Sequence, residues 1–403
     1  MSFDWFKTTV GEFCPFIYGK SLPDRLRVPG SYPVISSAGI IGCHNAPLTD
    51  RAGIVIGRKG TVGSVTLCEK PFWPIDTAFY VLDDPDKRDL HFTFYLLNMI
   101  GLSKMNTDSA VPGLNRDNAH ALVISVPSLA IQRDISSILR SLDRRITLLR
   151  ETNATLEAIA QALFKSWFVD FDPVHANAGT QAPSLPPEIQ ALFPATFTDA
   201  PQGLAPEGWE WSTIAESFIL TMGQSPPGDT YNETGEGLPF YQGRTDYGFR
   251  FPAQRVFCNA PTRLAQRGDS LVSVRAPVGD VNIALENCAI GRGVAGVRHP
   301  SGCNSFVFYS LKLLKPYFEH FNGEGTVFGS INKKDFQNLP VIDPKKTVLD
   351  AFEAVTSGLD AQIENNELKL RTLTSLRDTL LPRLISGQLR LPDAEQAVEE
   401  FID

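Results

Sequence analysis

The 403-residue chain is long enough for two or three domains that each bury a core. Its 43% hydrophobic and 20% charged residues are typical of globular proteins, and no apolar run reaches the ~18 residues of a membrane-spanning helix. The net charge of −8 argues against nucleic acid, but residues 1–130 and 210–345 carry 12 and 13 charges of each sign. Either stretch can therefore still present a basic face.

The start of the chain and its metal-binding residue types give two further expectations. The residues MSFDWFKTTVGEF lack the basic start and apolar core of a secretion signal, which predicts a cytoplasmic protein. The six cysteines form no Cys-x-x-Cys pair, and the six histidines lack metal-ligand spacing. We therefore predict no metal site and no cofactor.

Residues 1–127 are predicted to form a globular domain of mixed helices and strands. Short β-rich runs at 53–57, 64–67 and 78–82 are bounded by glycine, proline and aspartate. The run HFTFYLLNMI, residues 91–100, is predicted to be a helix that packs on those strands. Abundant glycine and proline indicate irregular connections, where recognition residues usually lie.

A long amphipathic helix is predicted for residues 128–171, with Ser128 as its cap after Pro127. At nearly 40 residues it would be about 55–60 Å long. A narrow row of mostly apolar residues, which we call the seam, recurs at steps of three and four. The seam residues of this helix are Ile131, Ile135, Ile138, Leu142, Ile146, Leu149, Asn153, Leu156, Ala160, Leu163 and Trp167.

The chain then passes through residues 172–208, which are rich in proline, alanine and glycine and are predicted to be a linker. Residues 209–343 are predicted to form a second mixed globular domain. Its β-rich runs lie at 269–274 and 281–285, and a helical run lies at 306–318.

A second long helix is predicted for residues 344–387. Asp343 can cap it with Pro344 at the first helical position, and Gly387 can end it. Residues 388–403 then form an acidic tail. The seam residues of this helix are Val348, Phe352, Val355, Leu359, Ile363, Asn366, Leu370, Leu373, Arg377, Leu380 and Leu384.

The two halves of the chain repeat each other at a constant interval, the separation between Leu156 and Leu373, which we call the repeat interval. In the helices the same interval pairs Ile159 with Leu376, Leu163 with Leu380, Phe164 with Leu381, and Phe168 with Ile385. Upstream, VPGLN (111–115) matches FGSIN (328–332), and Arg58 falls on Arg275 with one residue of slippage after it. A constant interval over more than a hundred residues predicts a direct tandem duplication.

Each of the two seams must be buried against another apolar surface. The simplest arrangement packs them on each other as an antiparallel coiled coil. The fold class predicted is therefore α+β: two mixed α/β domains separated by two long antiparallel helices, in a pseudo-twofold tandem repeat. Asn153 and Asn366 in the seams can fix the register, or both can be exposed and unpaired. Such a spacer suits a ligand with two separated sites, such as duplex DNA with grooves about 34 Å apart, or two proteins joined by a scaffold.

The chain resembles the DNA-specificity subunits of type I restriction–modification systems, over nearly its whole length. The resemblance rests on motifs in both globular stretches and in both helices. They are GKSLPDRLRVPGSYPVISSAGIIGCHN (19–45), IGRKGTVGSV (56–65), FWPIDTAFYV (72–81), GQSPPGDTYNETGEGLPFYQGRTDYGFRF (223–251), SVRAPVGDVNIA (273–284), AIGRGVAGVR (289–298), LEAIAQALFKSWFVDFDPV (156–174) and LRDTLLPRLISGQLRL (376–391).

This resemblance implies two target-recognition domains, each reading one half of a bipartite DNA sequence with a fixed gap. The paired helices would set that gap and dock two methyltransferase subunits, and nuclease/translocase subunits would join them. The chain itself would be non-catalytic, with methylation and ATP-dependent cleavage on its partners.

Candidate DNA-binding residues lie in Gly-rich or mixed polar loops, where long cationic side chains can reach phosphates or base edges. The alternatives are solvated loop arginines and asparagines that cap turns. The candidates are Arg58, Lys59 and Thr61 in one turn, Arg275 in its counterpart, Asn115 and Arg116, Asn332, Lys333 and Lys334, and Tyr241, Gln242 and Arg244.

The ends of both long helices are candidate docking surfaces for partner subunits. They carry more apolar surface than one seam buries, although they can equally complete an intramolecular core. The candidates are Leu163, Trp167 and Phe168 on the first helix, and Leu380, Leu381 and Leu384 on the second.

Enzymatic functions find little support in the sequence. An adenine methyltransferase would need an Asn/Asp-Pro-Pro-Tyr/Phe tetrad, but the Pro-Pro pairs lie in SLPPEI and QSPPGD. No Walker-type phosphate loop occurs, and GRGVAG (291–296) alone is a weak nucleotide signal. A two-headed protein adaptor and an autonomous DNA enzyme remain the alternative hypotheses.

Overall fold

The computed structural model describes residues 5–105, 113–200, 202–323 and 329–402. Of the repeated motifs, Val111, Pro112 and Phe328 lie outside these ranges. The chain forms two compact units: unit 1 comprises Met1–Leu148 and Leu370–Asp403, and unit 2 comprises Leu149–Lys369. Each unit therefore takes one part of each long helix and one globular domain.

The first globular domain, in unit 1, contains nine strands and three helices among its described residues. The strands are β1 (Phe6–Thr9), β2 (Ile17–Tyr18), β3 (Tyr32–Ser36), β4 (Gly39–His44), β5 (Gly53–Gly57), β6 (Val65–Cys68), β7 (Trp73–Pro74), β8 (Ala78–Leu82) and β9 (Val123–Val126). The helices are α1 (Val10–Phe13), α2 (Leu90–Met99) and α3 (Arg116–His120), with 3₁₀ turns at Asp24–Leu26 and Leu102–Lys104.

The core of this domain lies between the sheet β2-β8-β5-β6 and helix α2. All five residues of β5 are buried, because this central strand pairs antiparallel with both β6 and β8. Helix α2 is capped by Asp89, whose side chain accepts a 2.8 Å hydrogen bond from Phe92 N. Its Phe92 and Leu96 are buried, as the predicted packing of this helix requires.

The first long helix, α4, spans Leu129–Phe168 and its 40 residues are about 60 Å long. It is followed by α5 (Asp172–Asn177), α6 (Pro187–Gln190), β10 (Phe197–Thr198) and β11 (Ala205–Pro206). This segment, predicted to be a linker, belongs to unit 2 and contributes to its core. Val174 and Phe193 are buried in the core of that unit, and Asn177 Nδ2 donates to Phe193 O at 2.8 Å.

The second globular domain, in unit 2, repeats the elements of the first. Its strands are β12 (Glu210–Thr213), β13 (Ile219–Met222), β14 (Tyr231–Asn232), β15 (Leu238–Tyr241), β16 (Phe257–Cys258), β17 (Leu264–Ala265), β18 (Ser270–Ser273), β19 (Val281–Ile283), β20 (Cys288–Ile290), β21 (Val294–Arg298) and β22 (Pro340–Asp343). Its helices are α7 (Ile214–Ser217), α8 (Asn304–Leu313), α9 (Lys315–Gly323) and α10 (Lys333–Gln337), with 3₁₀ turns at Gly228–Thr230 and Arg244–Asp246.

Two sheets of this domain match sheets of the first. The antiparallel sheet β13-β21-β18-β19 corresponds to β2-β8-β5-β6, and β12 pairs with β22 as β1 pairs with β9. A further sheet has the order β14-β16-β15-β20-β17. The main core of unit 2 includes Phe306, Val307 and Leu311 of α8.

The second long helix, α11, spans Lys346–Ile385, so both of its ends follow those of α4 by the repeat interval. Gly387 follows it in the left-handed region, with φ of 74°. The predicted acidic tail then forms a helix, α12 (Leu391–Ile402), in which Ala394 and Val398 are buried.

The contacts within unit 2 show that the two long helices run antiparallel. Asn366 Nδ2 donates to Asn153 Oδ1 at 2.8 Å, and the rings of Phe164 and Phe352 lie 5.9 Å apart. A later residue of α4 thus meets an earlier residue of α11. The predicted fold class, α+β with two mixed domains and two long antiparallel helices in a tandem repeat, is confirmed.

The seam prediction holds at most positions, with one clear error. Asn153 and Asn366 are buried and paired with each other, so they are not the exposed, unpaired residues of the alternative. Val355 is 38% exposed, however, and Thr356 is buried in its place. Thr356 can be buried because its hydroxyl donates to Phe352 O at 2.9 Å.

Among the helices that the structure describes, none is long and apolar enough to cross a membrane.

Candidate nucleic-acid interface

The Gly-rich turn between β5 and β6 is tight and presents a basic side chain. Gly63 N donates to Gly57 O at 2.8 Å, which closes the turn. A Cβ atom at Gly63 would lie 2.3 Å from Ser103 N, and its φ of +70° also favours glycine. Lys59 and Thr61, both predicted DNA contacts, are exposed on this turn.

Arg58 of the same turn is held against aromatic rings. Its Nη1 donates to Asp76 O at 3.1 Å. Its guanidinium carbon lies 5.1 Å from the centroid of the Tyr18 ring and 5.8 Å from that of Phe79. Arg58 is therefore half-buried and oriented, which differs from a freely solvated loop arginine.

The start of α3 meets this turn, so two motifs far apart in sequence form one site. Leu114 N donates to Arg58 O at 2.8 Å. The guanidinium carbon of Arg116 lies 5.0 Å from the centroid of Tyr18. Together with Lys59 and Asn115, these residues line an open pocket of about 250 Å³. Tyr18, whose ring both arginines contact, is not among the residues predicted from the sequence.

The two predicted asparagines act as helix caps. Asn115 Oδ1 accepts from Asp117 N at 2.9 Å and from Asn118 N at 3.0 Å, at the start of α3. Asn332 Oδ1 accepts from Asp335 N at 2.9 Å, at the start of α10. Their side-chain oxygens thus have the capping role that was the alternative to DNA binding, and the DNA-binding role of the neighbouring cations stays a prediction.

His120 ties α3 to the strand that carries Tyr18. Its Nε2 accepts a 2.8 Å hydrogen bond from Phe16 N, and its ring lies 5.2 Å from the ring of Phe16. Burial, and then the charge of Arg116, lower the pKa of His120 below its usual 6.5. The neutral ring is therefore favoured, which the acceptor role of Nε2 requires.

In the corresponding turn of unit 2, the residue equivalent to Arg275 differs by one position from the one predicted by the sequence repeat. Val274 N donates to Gly293 O as Arg58 N donates to Thr77 O, both at 2.9 Å. Arg275 forms a β-bridge with Ser330, as Lys59 does with Gly113. Arg275 therefore occupies the place of Lys59, and Val274 that of Arg58. Arg275 is exposed, and so are Lys333 and Lys334 at the start of α10.

The predicted base-reading role of Tyr241 is not supported, because this side chain is only 3% exposed and lies in a core cluster. Gln242 and Arg244 are exposed after it, and Arg244 Nη1 lies 2.8 Å from Asp280 Oδ2. Arg244 lines an open pocket of about 330 Å³ with Lys312 and Lys315. That pocket therefore brings three cationic side chains together with the carboxylate of Asp280.

The predicted docking residues on the helices are mostly core residues. Four of the six are at most 3% exposed: Trp167, Phe168, Leu380 and Leu384. Leu163 and Leu381 are half-buried. Trp167 packs edge-on against Phe193, with ring centroids 5.2 Å apart. These side chains complete cores within the chain, so a partner cannot dock on the four buried ones.

Among the described residues, no cluster of three or more histidine, cysteine, aspartate or glutamate side chains could hold a metal ion.

Comparisons with known proteins agree on one family. A family model described as the type I restriction modification DNA specificity domain matches residues 3–158. A candidate type I restriction enzyme MjaX specificity subunit from Methanocaldococcus jannaschii is 30% identical over 352 residues, which cover 83% of this chain and 77% of that protein. The type I restriction enzyme HindI specificity subunit from Haemophilus influenzae is 26% identical over 341 residues, 72% of this chain and 73% of that one.

A solved structure shows the same fold. The S subunit of a type I restriction–modification system from M. genitalium aligns with a TM-score of 0.68 and 18% identity, over 95% of this chain and 96% of that one. The likeness in sequence and the duplicated architecture lead to the same assignment. This chain belongs to the family of DNA-specificity subunits of type I restriction–modification systems.

Proposed function

We propose that this chain reads a bipartite DNA target with a fixed gap and recruits methyltransferase and nuclease subunits to it. Its role as a subunit that recognises DNA sequence follows from its family. The finer proposal rests mainly on one observation: two homologous domains of one chain present different side chains at equivalent places. Arg58 and Lys59 in the first domain stand where Val274 and Arg275 stand in the second.

Two different reading surfaces suit two different half-sites. Arginine can form bidentate hydrogen bonds to guanine or phosphate, whereas lysine acts as a point charge. The first domain offers Arg58, Lys59, Thr61 and Arg116, and the second offers Gln242, Arg244, Arg275, Lys333 and Lys334. The half-sites would accordingly differ in sequence.

The long helices support the fixed gap. Each has 40 residues and a length of about 60 Å, which exceeds the ~34 Å of one duplex turn. Antiparallel pairing through Asn153 and Asn366 fixes which residues of the two helices meet within unit 2. A span set by such a pair would not vary from one target to the next.

Methylation and ATP-dependent cleavage would reside on partner subunits. The sequence contains no adenine-methyltransferase tetrad and no Walker-type loop, and the relatives carry the name of specificity subunits. Because Trp167 and Phe168 are buried, docking would use apolar side chains that remain outside the seams. Leu148 and Ile159 of α4, 62% and 44% exposed, are such residues.

The proposal is tested by mapping methylated bases on DNA exposed to the methyltransferase subunits, with and without this chain. With the chain, we expect modification at one two-part motif with a constant gap; without it, we expect none. Modification at a single contiguous motif, or at two parts with a variable gap, would contradict the proposal.

A further inference from the structure

Tyr18 lies between two cationic side chains of the first globular domain. The guanidinium carbons of Arg58 and Arg116 are 5.1 Å and 5.0 Å from the centroid of its ring. The ring itself is 48% exposed, which is high for a large aromatic residue. Both arginines therefore use the same tyrosine as a support at the surface.

The charges around this ring are not balanced. Three cations line the pocket there, Arg58, Lys59 and Arg116, against the single carboxylate of Asp117. Arg116 Nε lies 3.5 Å from Asp117 Oδ1, and that carboxylate is 84% exposed. Because both guanidinium carbons lie near one ring, they are at most about 10 Å apart. The two positive charges therefore repel each other. An anion in the pocket would relieve this repulsion.

The ring lowers the cost of ordering these side chains. A free arginine carries about 2 kcal/mol of rotamer entropy, which it loses when it binds. A cation held over an aromatic face is already partly ordered, and each such contact is favourable. Tyr18 thus keeps two cations in place before any ligand arrives.

The second globular domain does not repeat this arrangement at the place equivalent to Tyr18. By the pairing of β2 with β8 and of β13 with β21, Met222 stands at the place of Tyr18 and Ala295 at that of Phe79. Val274 replaces Arg58 in the equivalent hydrogen-bond pattern. The arrangement is therefore a property of the first domain and not of the duplicated fold.

We infer that Tyr18 is a positioning residue that holds Arg58 and Arg116 for a backbone phosphate of the first half-site. The excess of positive charge fits a phosphodiester better than a neutral base edge, because phosphate contacts orient a protein on DNA through charge. The inference rests on the proposed DNA-binding function of the same surface. It assigns Tyr18 to affinity and orientation, and it leaves sequence choice to other side chains.

The test uses the full chain assembled with its methyltransferase subunits and a mixed-sequence duplex of about 40 base pairs, because a phosphate contact acts on any sequence. We expect Tyr18→Ala to bind roughly three- to tenfold more weakly, the loss of one or two surface cation–π contacts. The slope of log affinity against log salt should fall by about one. Tyr18→Phe, which keeps the ring, should stay within about twofold of the parent.

Two further variants keep the test decisive. Met222→Ala in the second domain is the matched control and should leave affinity and salt slope unchanged. Arg116→Lys keeps the charge but stacks less well, so it should weaken binding with little change of slope. This variant also serves if Tyr18→Ala proves too unstable to assemble.

The possible results distinguish the positioning role of Tyr18 from the proposed DNA-binding function on which it rests. If Arg58→Met and Arg116→Met lower the salt slope but Tyr18→Ala has the affinity and salt slope of the parent, the positioning role is wrong. The proposal that this surface binds DNA would then be retained. If neither arginine variant changes DNA binding, the surface itself is wrong. If Tyr18→Ala leaves the salt slope unchanged and mapping of methylated bases shows a relaxed base preference in one half-site, the group contacted is a base and not a phosphate.

Discussion

The two globular domains are joined to the long helices at equivalent places but by different chemistry. In unit 2 the link is a buried arginine: Arg250 is 1% exposed, forms an ion pair with Glu157 of α4, and lies 3.1 Å from Asp360 of α11. Its Nη2 donates to Tyr309 Oη at 2.8 Å, and its guanidinium stacks 4.3 Å from the centroid of Phe308. The second domain thus supplies the cation and the helices supply the acids.

In unit 1 the same place is more open and its charges are arranged differently. Tyr95 Oη donates to Asp143 Oδ2 at 2.5 Å, and Arg377 Nη1 donates to Asp143 Oδ1 at 2.9 Å. Both ions here belong to the helices, and the domain supplies only a hydroxyl. Asp143 and Asp360 are separated by the repeat interval, so the duplication kept the acid and changed its partners.

The two acids that flank Arg250 in unit 2 have pKa values shifted in opposite directions. Burial raises the pKa of Glu157, but the charges of Arg250 and Lys312 outweigh it, so the pKa is lowered overall. At Asp360 burial dominates over Arg250, and the pKa is raised. Glu157 has two cations and Asp360 has one, which accounts for the opposite directions. Each globular domain therefore contacts its own part of the helix pair through a different set of charged and polar side chains.

Removing Arg250 should have the largest effect on this arrangement. Arg250→Met leaves Glu157 and Asp360 buried with fewer partners, so we expect the free energy of unfolding of unit 2 to fall by about 3–5 kcal/mol. Hydrogen exchange of native amides would measure this for unit 2 separately. Lys346→Met, which removes an exposed ion pair with Asp350, is the control and should change stability by less than about 1 kcal/mol. A loss of similar size in both variants would contradict the assignment.

Breaking the asparagine pair in the seam of unit 2 should have the second-largest effect on stability. Asn153→Leu alone leaves the buried Asn366 amide without this partner, at a cost of about 1–3 kcal/mol. The double variant with Asn366→Leu should recover most of that loss, because two leucines pack in a seam. A double-mutant cycle on unfolding free energies measures the coupling, and purely additive losses would show that the two amides do not act as a pair.

The link in unit 1 should tolerate substitution better than that in unit 2. Arg377 and Asp143 are 27% and 35% exposed, and Tyr95 remains as a donor to Asp143 if Arg377 is lost. We expect Arg377→Met to cost about 1 kcal/mol of unfolding free energy in unit 1. If this variant proved as damaging as Arg250→Met, the contrast between the two links would be lost.

His120 should give unit 1 a modest pH dependence of its stability. Because its folded pKa is lowered, the unfolded chain binds a proton more readily than the folded one as the pH falls below about 6.5. The stability that the neutral ring provides is present above that pH and is lost as the pH falls toward the lowered pKa. Denaturation of His120→Gln, which keeps an acceptor for Phe16 N without titrating, should lack this component. An unchanged pH profile in the variant would point to another group.

The sequence could predict the features that depend on local periodicity. The long helices, the repeat interval between them and most seam positions follow from the spacing of apolar residues, and the structure reproduces them. The burial of Thr356 in place of Val355 could not be predicted from residue polarity. A threonine can be buried when its hydroxyl donates a hydrogen bond to a carbonyl of its own helix.

Burial by residues that are far away in the sequence could not be predicted in the same way. Trp167 and Phe168 looked like surplus apolar surface because their cover includes Phe193, from a segment whose composition suggested a linker. Tyr241 looked like a base reader because its neighbours are polar, although β15 places its ring in a core. Tyr18 was missed because its role exists only once the turn at Arg58 and the start of α3 meet.

The central claim is that the paired helices set a fixed span between two reading domains. It is tested most directly by inserting seven residues after Leu148 and seven after Lys369, where the two units divide and their internal contacts are spared. Seven helical residues add about 10 Å, so mapping of methylated bases should show the same two half-sites with a gap longer by about three base pairs. An unchanged gap, or altered half-sites at the original gap, would contradict the claim.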